Sequence, residues 1–240
     1  MLITTEGIVL QKINYSDSSQ IIKIYTQSYG ITSLLLKGIR SKSKKNKLNL
    51  HPLALIEVVV NKKENSTIQI ARETKLIKPL NTIQSDVLKS TIVIFLAEFL
   101  LKVLKQEEHD YSLYSFIKNN ILLLEETDKN PSNFHLVFIA KLTKFLGFEP
   151  QGTYTNGELF SLKEGTFAFH KTHFPHEITT ADYAVNIARL LNSEISDFYT
   201  LSFSNNERAN LLSVLVEYFK IQTDNSFKLK SIAILNEVLS

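Results

Sequence analysis

The chain contains no cysteine in 240 residues, which excludes disulfides, thiol catalysis and thiolate metal sites and fits a reducing cytosol. Glycine is scarce as well. All seven glycines stand alone (Gly7, Gly30, Gly38, Gly147, Gly152, Gly157, Gly165), so neither a dinucleotide fingerprint nor a phosphate-binding loop can be built. There is no Gly-x-Ser-x-Gly elbow and no His-Glu-x-x-His helix. Long apolar runs are missing too. The most apolar stretch, residues 92–104, is 13 residues long and carries Glu98 and Lys102, whereas a membrane span needs roughly 20 apolar residues. The N-terminus lacks the basic start, apolar run and small-residue cleavage site of a secretory signal. Carboxylates cluster at Glu107-Glu108-His109-Asp110 and at Glu125-Glu126, both at expected helix ends, where solvated caps account for them. The expectation is a cytoplasmic protein without membrane segments, with no cofactor and no catalytic site.

What the chain does have is cationic charge at one end. Residues 1–80 carry 13 Lys/Arg against 5 Asp/Glu, while residues 81–240 carry 14 against 19, so a formal net charge of +3 hides a basic first third. The densest part runs from Lys37 to Lys47: Lys37, Arg40, Lys42, Lys44, Lys45 and Lys47, with no acidic residue among them. Like charges repel and nothing apolar is available to bury there, so the favourable partner of this stretch is a polyanion.

The first 80 residues read as short strands, at Ile8–Leu10, Ile21–Tyr25, Ile31–Leu36, Leu53–Val60 and Ile68–Ala71, separated by polar or glycine breaks. Five short strands close most readily into a small barrel, and an OB-like barrel is the commonest five-stranded solution. The basic run then connects the third and fourth strands. After Pro79 the period becomes helical. Ile83–Gln106 predicts a central buried helix, and Asp110 caps a second one to about Glu126. Asn130-Pro131 starts a third that Gly147 and Pro150 end. Residues 159–169 alternate as a β-hairpin, within a subdomain of about 150–178. Helices resume near Thr179, near Ser204 (which has a capping-box partner in Glu207) and near Lys230. The expected architecture is multi-domain α+β: a five-stranded barrel over residues 1–80, then a helical domain over 81–240 with a small hairpin insertion.

Barrel faces that hold single strands combine a cationic track with aromatic platforms. Further cations in the barrel are Lys12, Lys23, Lys62, Lys63, Arg72, Lys75 and Lys78, and its rings are Tyr15, Tyr25 and Tyr29, each equally suited to packing. The candidate set for contacting a nucleic-acid strand is Lys37, Arg40, Lys42, Lys44, Lys45, Lys47, Arg72 and Tyr25. His170, His173 and His176 have a spacing that a divalent metal could use, but a structural zinc site needs four ligands, usually thiolates.

Gly-Ile-Val-Leu (7–10), Tyr-Ser-Asp (15–17), Ile-Tyr-Thr (24–26), Gly30, Ser33 and Lys-Gly-Ile-Arg (37–40) fall in an order and spacing that resembles the bacterial recombination mediator family RecO. Leu-Gly-Phe-Glu-Pro (146–150) and Leu-Lys-Ser (229–231) extend the resemblance weakly through the chain. It implies an OB barrel and a helical domain that bind single- and double-stranded DNA and anneal complementary strands. It also implies two protein partners, RecR and the acidic C-terminal tail of single-strand-binding protein, in replacing that protein by RecA. The family's cationic loop maps onto Lys37, Gly38 and Arg40. Many relatives carry four cysteines for zinc after the Gly-Phe-x-Pro segment, and this chain has none. Packing by Phe160, Phe167 and Phe169 is expected to stabilise the hairpin instead. The rival expectations are an adaptor whose basic loop meets an acidic protein tail, and an RNA-associated OB module.

Overall fold

A long first strand organises the N-terminal region. In the computed structural model, which describes residues 2–37, 50–61, 66–104, 110–169 and 179–240, β1 spans Leu2–Asn14. Its first half pairs antiparallel with β4 (Leu55–Asn61), and its second half pairs with β2 (Gln20–Thr26). The register shifts between Val9 and Gln11, a bulge that bends the strand so that it can serve two neighbours. β3 (Gly30–Leu36) pairs with β2, and β5 (Ile68–Leu76) pairs with β4. A parallel seam joining Ser33–Leu35 to Ile68–Ile70 completes a closed barrel of order β1-β2-β3-β5-β4. The five-stranded OB-like barrel expected from the sequence is therefore present.

Strand alternation fills the barrel. Val9, Ile22, Ile24, Leu34, Leu36, Ile56, Val58 and Val60 point inward as one buried cluster with Leu50 and Ala54. The fourth strand starts two residues later than expected because Leu53 turns the chain at φ 59°, its side chain buried and its N–H donating to the Val9 carbonyl at 2.7 Å.

The helix expected over 83–106 is two helices: α1 (Asn81–Ser85) and α2 (Val87–Val103). Asp86 divides them. Its backbone is extended and its carboxylate accepts from the Lys89 N–H at 2.9 Å, a local bond that competes with helix continuation. α2 buries nearly its whole circumference, including Ile92, Phe95, Leu96, Phe99 and Leu100, and packs on β1. α3 (Tyr111–Glu126) is capped by Asp110, which accepts from the N–H groups of Ser112 and Leu113. At its far end the Glu125 carboxylate accepts from the N–H groups of Thr82 and Ile83, at 3.0 and 2.9 Å, and so satisfies the first turn of α1. Burial by itself raises the Glu125 pKa, and the donations from Ile83 and Thr82 together outweigh it and lower the pKa on balance. Helices α1–α3 belong with the barrel in one compact unit, Met1–Glu125; the second is Glu126–Ser240.

In the second unit, α4 spans Phe134–Phe145. The expected start at Asn130-Pro131 is a separate turn, in which Asn130 accepts from the Ser132 N–H and the Phe134 N–H reaches the Pro131 carbonyl. Gly147, at φ 83°, does end the helix: the N–H of Phe148 bonds to Thr143 and that of Gly147 to Lys144, a Schellman arrangement that needs a left-handed residue. The hairpin pairs β6 (Leu159–Ser161) with β7 (Thr166–Ala168). It is followed by α5 (Ala181–Asn192), a 3-10 turn over Ile195–Thr200, α6 (Asn205–Thr223) and α7 (Ser231–Val238). The capping box read at Ser204 and Glu207 is formed in both directions.

An aromatic cluster holds the hairpin. Phe160 lies 5.1 Å from Phe167 and 5.4 Å from Tyr218 of α6, between ring centroids, and Phe148 lies 5.8 Å from Tyr218. The Tyr218 hydroxyl donates to the Phe148 carbonyl at 2.6 Å, and Gln222 donates to the carbonyls of Leu162 and Lys163. Phe169 is not part of this packing: the ladder stops at Ala168 and its ring is 61% exposed. Gly165, at φ 66°, lets the turn pass Tyr218, since a Cβ there would come within 2.6 Å of the hydroxyl.

His135 on α4 is fully buried, and its pKa is pushed down to about 3 by burial and then by the Arg208 guanidinium. The native state therefore stays unprotonated where the unfolded chain takes up a proton, so stability falls as pH drops from about 6.5 toward 3. Replacing His135 with Gln is expected to flatten this dependence by up to about 1.4 kcal/mol per pH unit. Denaturant unfolding of both proteins across that window measures it, and parallel curves would contradict it.

Candidate nucleic-acid interface

The parity that fills the barrel also builds its outer face. Because Ile22, Ile24, Leu34 and Leu36 point inward, Ile21, Lys23, Ser33 and Leu35 point outward. The register then aligns Ile13 with Ile21, Ile21 with Leu35 and Leu35 with Ile70, an aliphatic row across β1, β2, β3 and β5. It is open to solvent at both ends, with Ile13 46% and Ile70 37% exposed. The adjoining row runs Gln11, Lys23, Ser33, Ile68.

Cations flank these rows. Lys37 follows β3 directly and is exposed, two residues beyond Leu35. Arg72 is exposed on β5, two residues beyond Ile70, at the irregularity where the β4–β5 register skips from Ala71 to Glu73. Tyr15, 64% exposed, stands in the β1–β2 turn, whose backbone is closed by Tyr15 and Ser16 N–H groups donating to the Ser19 carbonyl. An apolar stripe with guanidinium, ammonium and phenol groups around it can take sugar and base surface on the stripe and phosphate oxygens at its margin.

Tyr25 does not join this arrangement. It also points out of the barrel, but α3 covers it: its ring is 1% exposed and lies 6.1 Å from that of Tyr114. Beside it, Lys118 of α3 forms an ion pair with Glu6 of β1 at 2.6 Å, and the Tyr114 hydroxyl donates to the same carboxylate. Burial first, then the Glu6 charge, raises the Tyr114 pKa, so this phenol stays protonated. Tyr25 is thus a packing residue, and the sequence expectation of a stacking platform is corrected at that position. Arg40, Lys42, Lys44, Lys45 and Lys47 lie outside the described residues, as do Lys62, Lys63, His170, His173 and His176. Among the described residues no group of three or more His, Asp or Glu side chains is placed to hold a metal ion, and no helix is long and apolar enough to cross a membrane.

The aliphatic row escaped the sequence reading, although it left a signal. Ile21-Ile22 and Leu34-Leu35-Leu36 are consecutive apolar residues, a pattern that commits both faces of a strand to apolar surface.

Barrel order, parallel closure and appended helices define an OB-barrel protein with a helical region. Residues 1–80 match the family model described as Recombination protein O N terminal, and residues 84–231 match Recombination protein O C terminal. Proteins called DNA repair protein RecO are similar over nearly their whole length. That of Azobacteroides pseudotrichonymphae is 37% identical, with 99% of each chain covered. Those of Bacteroides fragilis and Flavobacterium psychrophilum are 32% and 31% identical, with 99% and 100% of each chain covered. The chain belongs to the RecO family.

Proposed function

We propose that this chain is a non-enzymatic recombination mediator that binds single- and double-stranded DNA, anneals complementary strands and helps RecA replace single-strand-binding protein. A role in DNA repair and recombination follows from the family; the rest is our reading. The observation that carries it is the coincidence of an outer barrel face, bordered by exposed Lys37 and Arg72, with the root of an acid-free run of six cations. Lys37, Arg40, Lys42, Lys44, Lys45, Lys47 and Arg72 would meet phosphates and give affinity without sequence preference. Neutralising two strands at once lowers the repulsion that opposes their pairing. RecR and the acidic tail of single-strand-binding protein are the protein partners in this reading.

The test is a mobility-shift and annealing assay with bare oligonucleotides at physiological salt. Retardation of both strand forms and faster pairing of complementary strands are expected. Absence of any shift would leave a protein adaptor in place of a DNA-binding mediator.

A further inference from the structure

The barrel wall has a gap beside the interface. β3 meets β5 only from Ser33 onward, so Gly30–Thr32 carry no strand neighbour on that side among the described residues. A cleft of about 580 Å³ opens there, within the range of small-ligand sites, about 300–1,000 Å³. Its floor is barrel core, with Ile24, Leu34 and Val58 presenting aliphatic surface. Its walls carry the hydroxyls of Thr32, Ser33 and Thr67 and the amide of Gln69. Residues from both faces of β3 line it because it passes through the wall.

The charge pattern selects the ligand. Among the described residues no carboxylate lines the cleft, and the one cationic side chain in its lining is Lys23 on the outer face. Tyr29 stands in the β2–β3 turn, partly exposed, with its backbone fixed because its N–H donates to the Thr26 hydroxyl, which in turn donates to the Gly30 carbonyl, both at 2.9 Å. A flat neutral heterocycle with hydrogen-bonding edges and an attached anion suits this combination: apolar floor, neutral polar walls, one ring at the turn, one cation outside.

We infer that the cleft between β3 and β5 accepts a single unstacked base of a bound strand, with Tyr29 against the base and Lys23 at its phosphate. This rests on the proposed DNA-binding reading and adds a base-holding subsite to it. A duplex has no free base to offer, so only single strands would use the cleft.

The experiment uses the full chain and an oligothymidylate carrying one 5-iodouracil, photocrosslinked and mapped by mass spectrometry, together with a Thr32→Phe variant that fills the cleft. Crosslinks at Tyr29 are expected, as is about a tenfold loss of single-strand affinity in Thr32→Phe with duplex binding retained. Crosslinks confined to the outer face, or a Thr32→Phe protein that binds single strands as the parent does, would overturn the subsite while leaving DNA binding intact. If Thr32→Phe does not fold, the crosslink position in the parent decides alone. An acidic peptide seating in the cleft in place of the base would overturn it too. Failure of the parent to bind any DNA would remove both this inference and the function it rests on.

Discussion

Affinity for single-stranded DNA is expected to fall about fiftyfold between about 50 and 200 mM salt. A single strand releases roughly 0.7 counterion per neutralised phosphate, so with about four of the seven cations, Lys37 and Arg72 among them, engaged at once the slope of log K against log salt is near −3. Lys37 and Arg72 are the exposed, described members of the cationic set and lie on the margin of one face, so replacing both with Ala should bring the slope to about −1.4. The loss should be uniform across sequences, because phosphate contacts carry no base information. Titration of labelled oligonucleotides over a salt series reads both effects. A slope near zero would remove the phosphate-contact model, and a loss restricted to one sequence would contradict backbone recognition.

The second large effect is expected in the hairpin. Tyr218 is almost fully buried, meets Phe148 and Phe160 edge to face, and bonds the Phe148 carbonyl. Tyr218→Ala removes the ring on which Phe160 of β6, the Gly165 turn and Phe148 after α4 converge, and should cost about 3–5 kcal/mol, the range for deleting a buried aromatic. Tyr218→Phe keeps the ring and loses one hydrogen bond, so it should cost about 1 kcal/mol. Burial pushes the Tyr218 phenol up to about 12, so the bond persists throughout the neutral range. Chemical denaturation of the two variants separates ring from hydroxyl. A Tyr218→Ala protein within about 1 kcal/mol of the parent would show that the hairpin is held by something else.

The sequence disclosed most of the barrel because each strand carries its own alternation and is bounded by polar or glycine breaks. It underestimated β1, whose Thr4, Thr5, Glu6, Gln11 and Lys12 look like loop but are fixed by pairing with β4 and β2. Pairing is a property of the partners, so it leaves no local trace. The same limit applies to Tyr25. Parity shows that it points away from Ile24, yet only the arrival of α3 turns an outward ring into a buried one. Asp86 and Asn133 show a related ambiguity, because a short polar side chain can cap, turn or tether. Asp86 caps and divides a helical run, whereas Asn133 makes no cap and uses its amide on the Leu201 carbonyl and the Arg208 guanidinium. The cationic run was legible from charge alone, since no fold is needed to see that its members repel.

The ring closes through Ser33 and Ile68, which lie far apart in the chain, and the segment between them includes the lysine-rich connection. Loop-closure entropy grows only logarithmically, so doubling such a connection costs about 0.6 kcal/mol. Changes of length within residues 38–49, short of the buried Leu50, Leu53 and Ala54, therefore alter the charge of that connection at little expense to folding. Evolution can retune one without rebuilding the other.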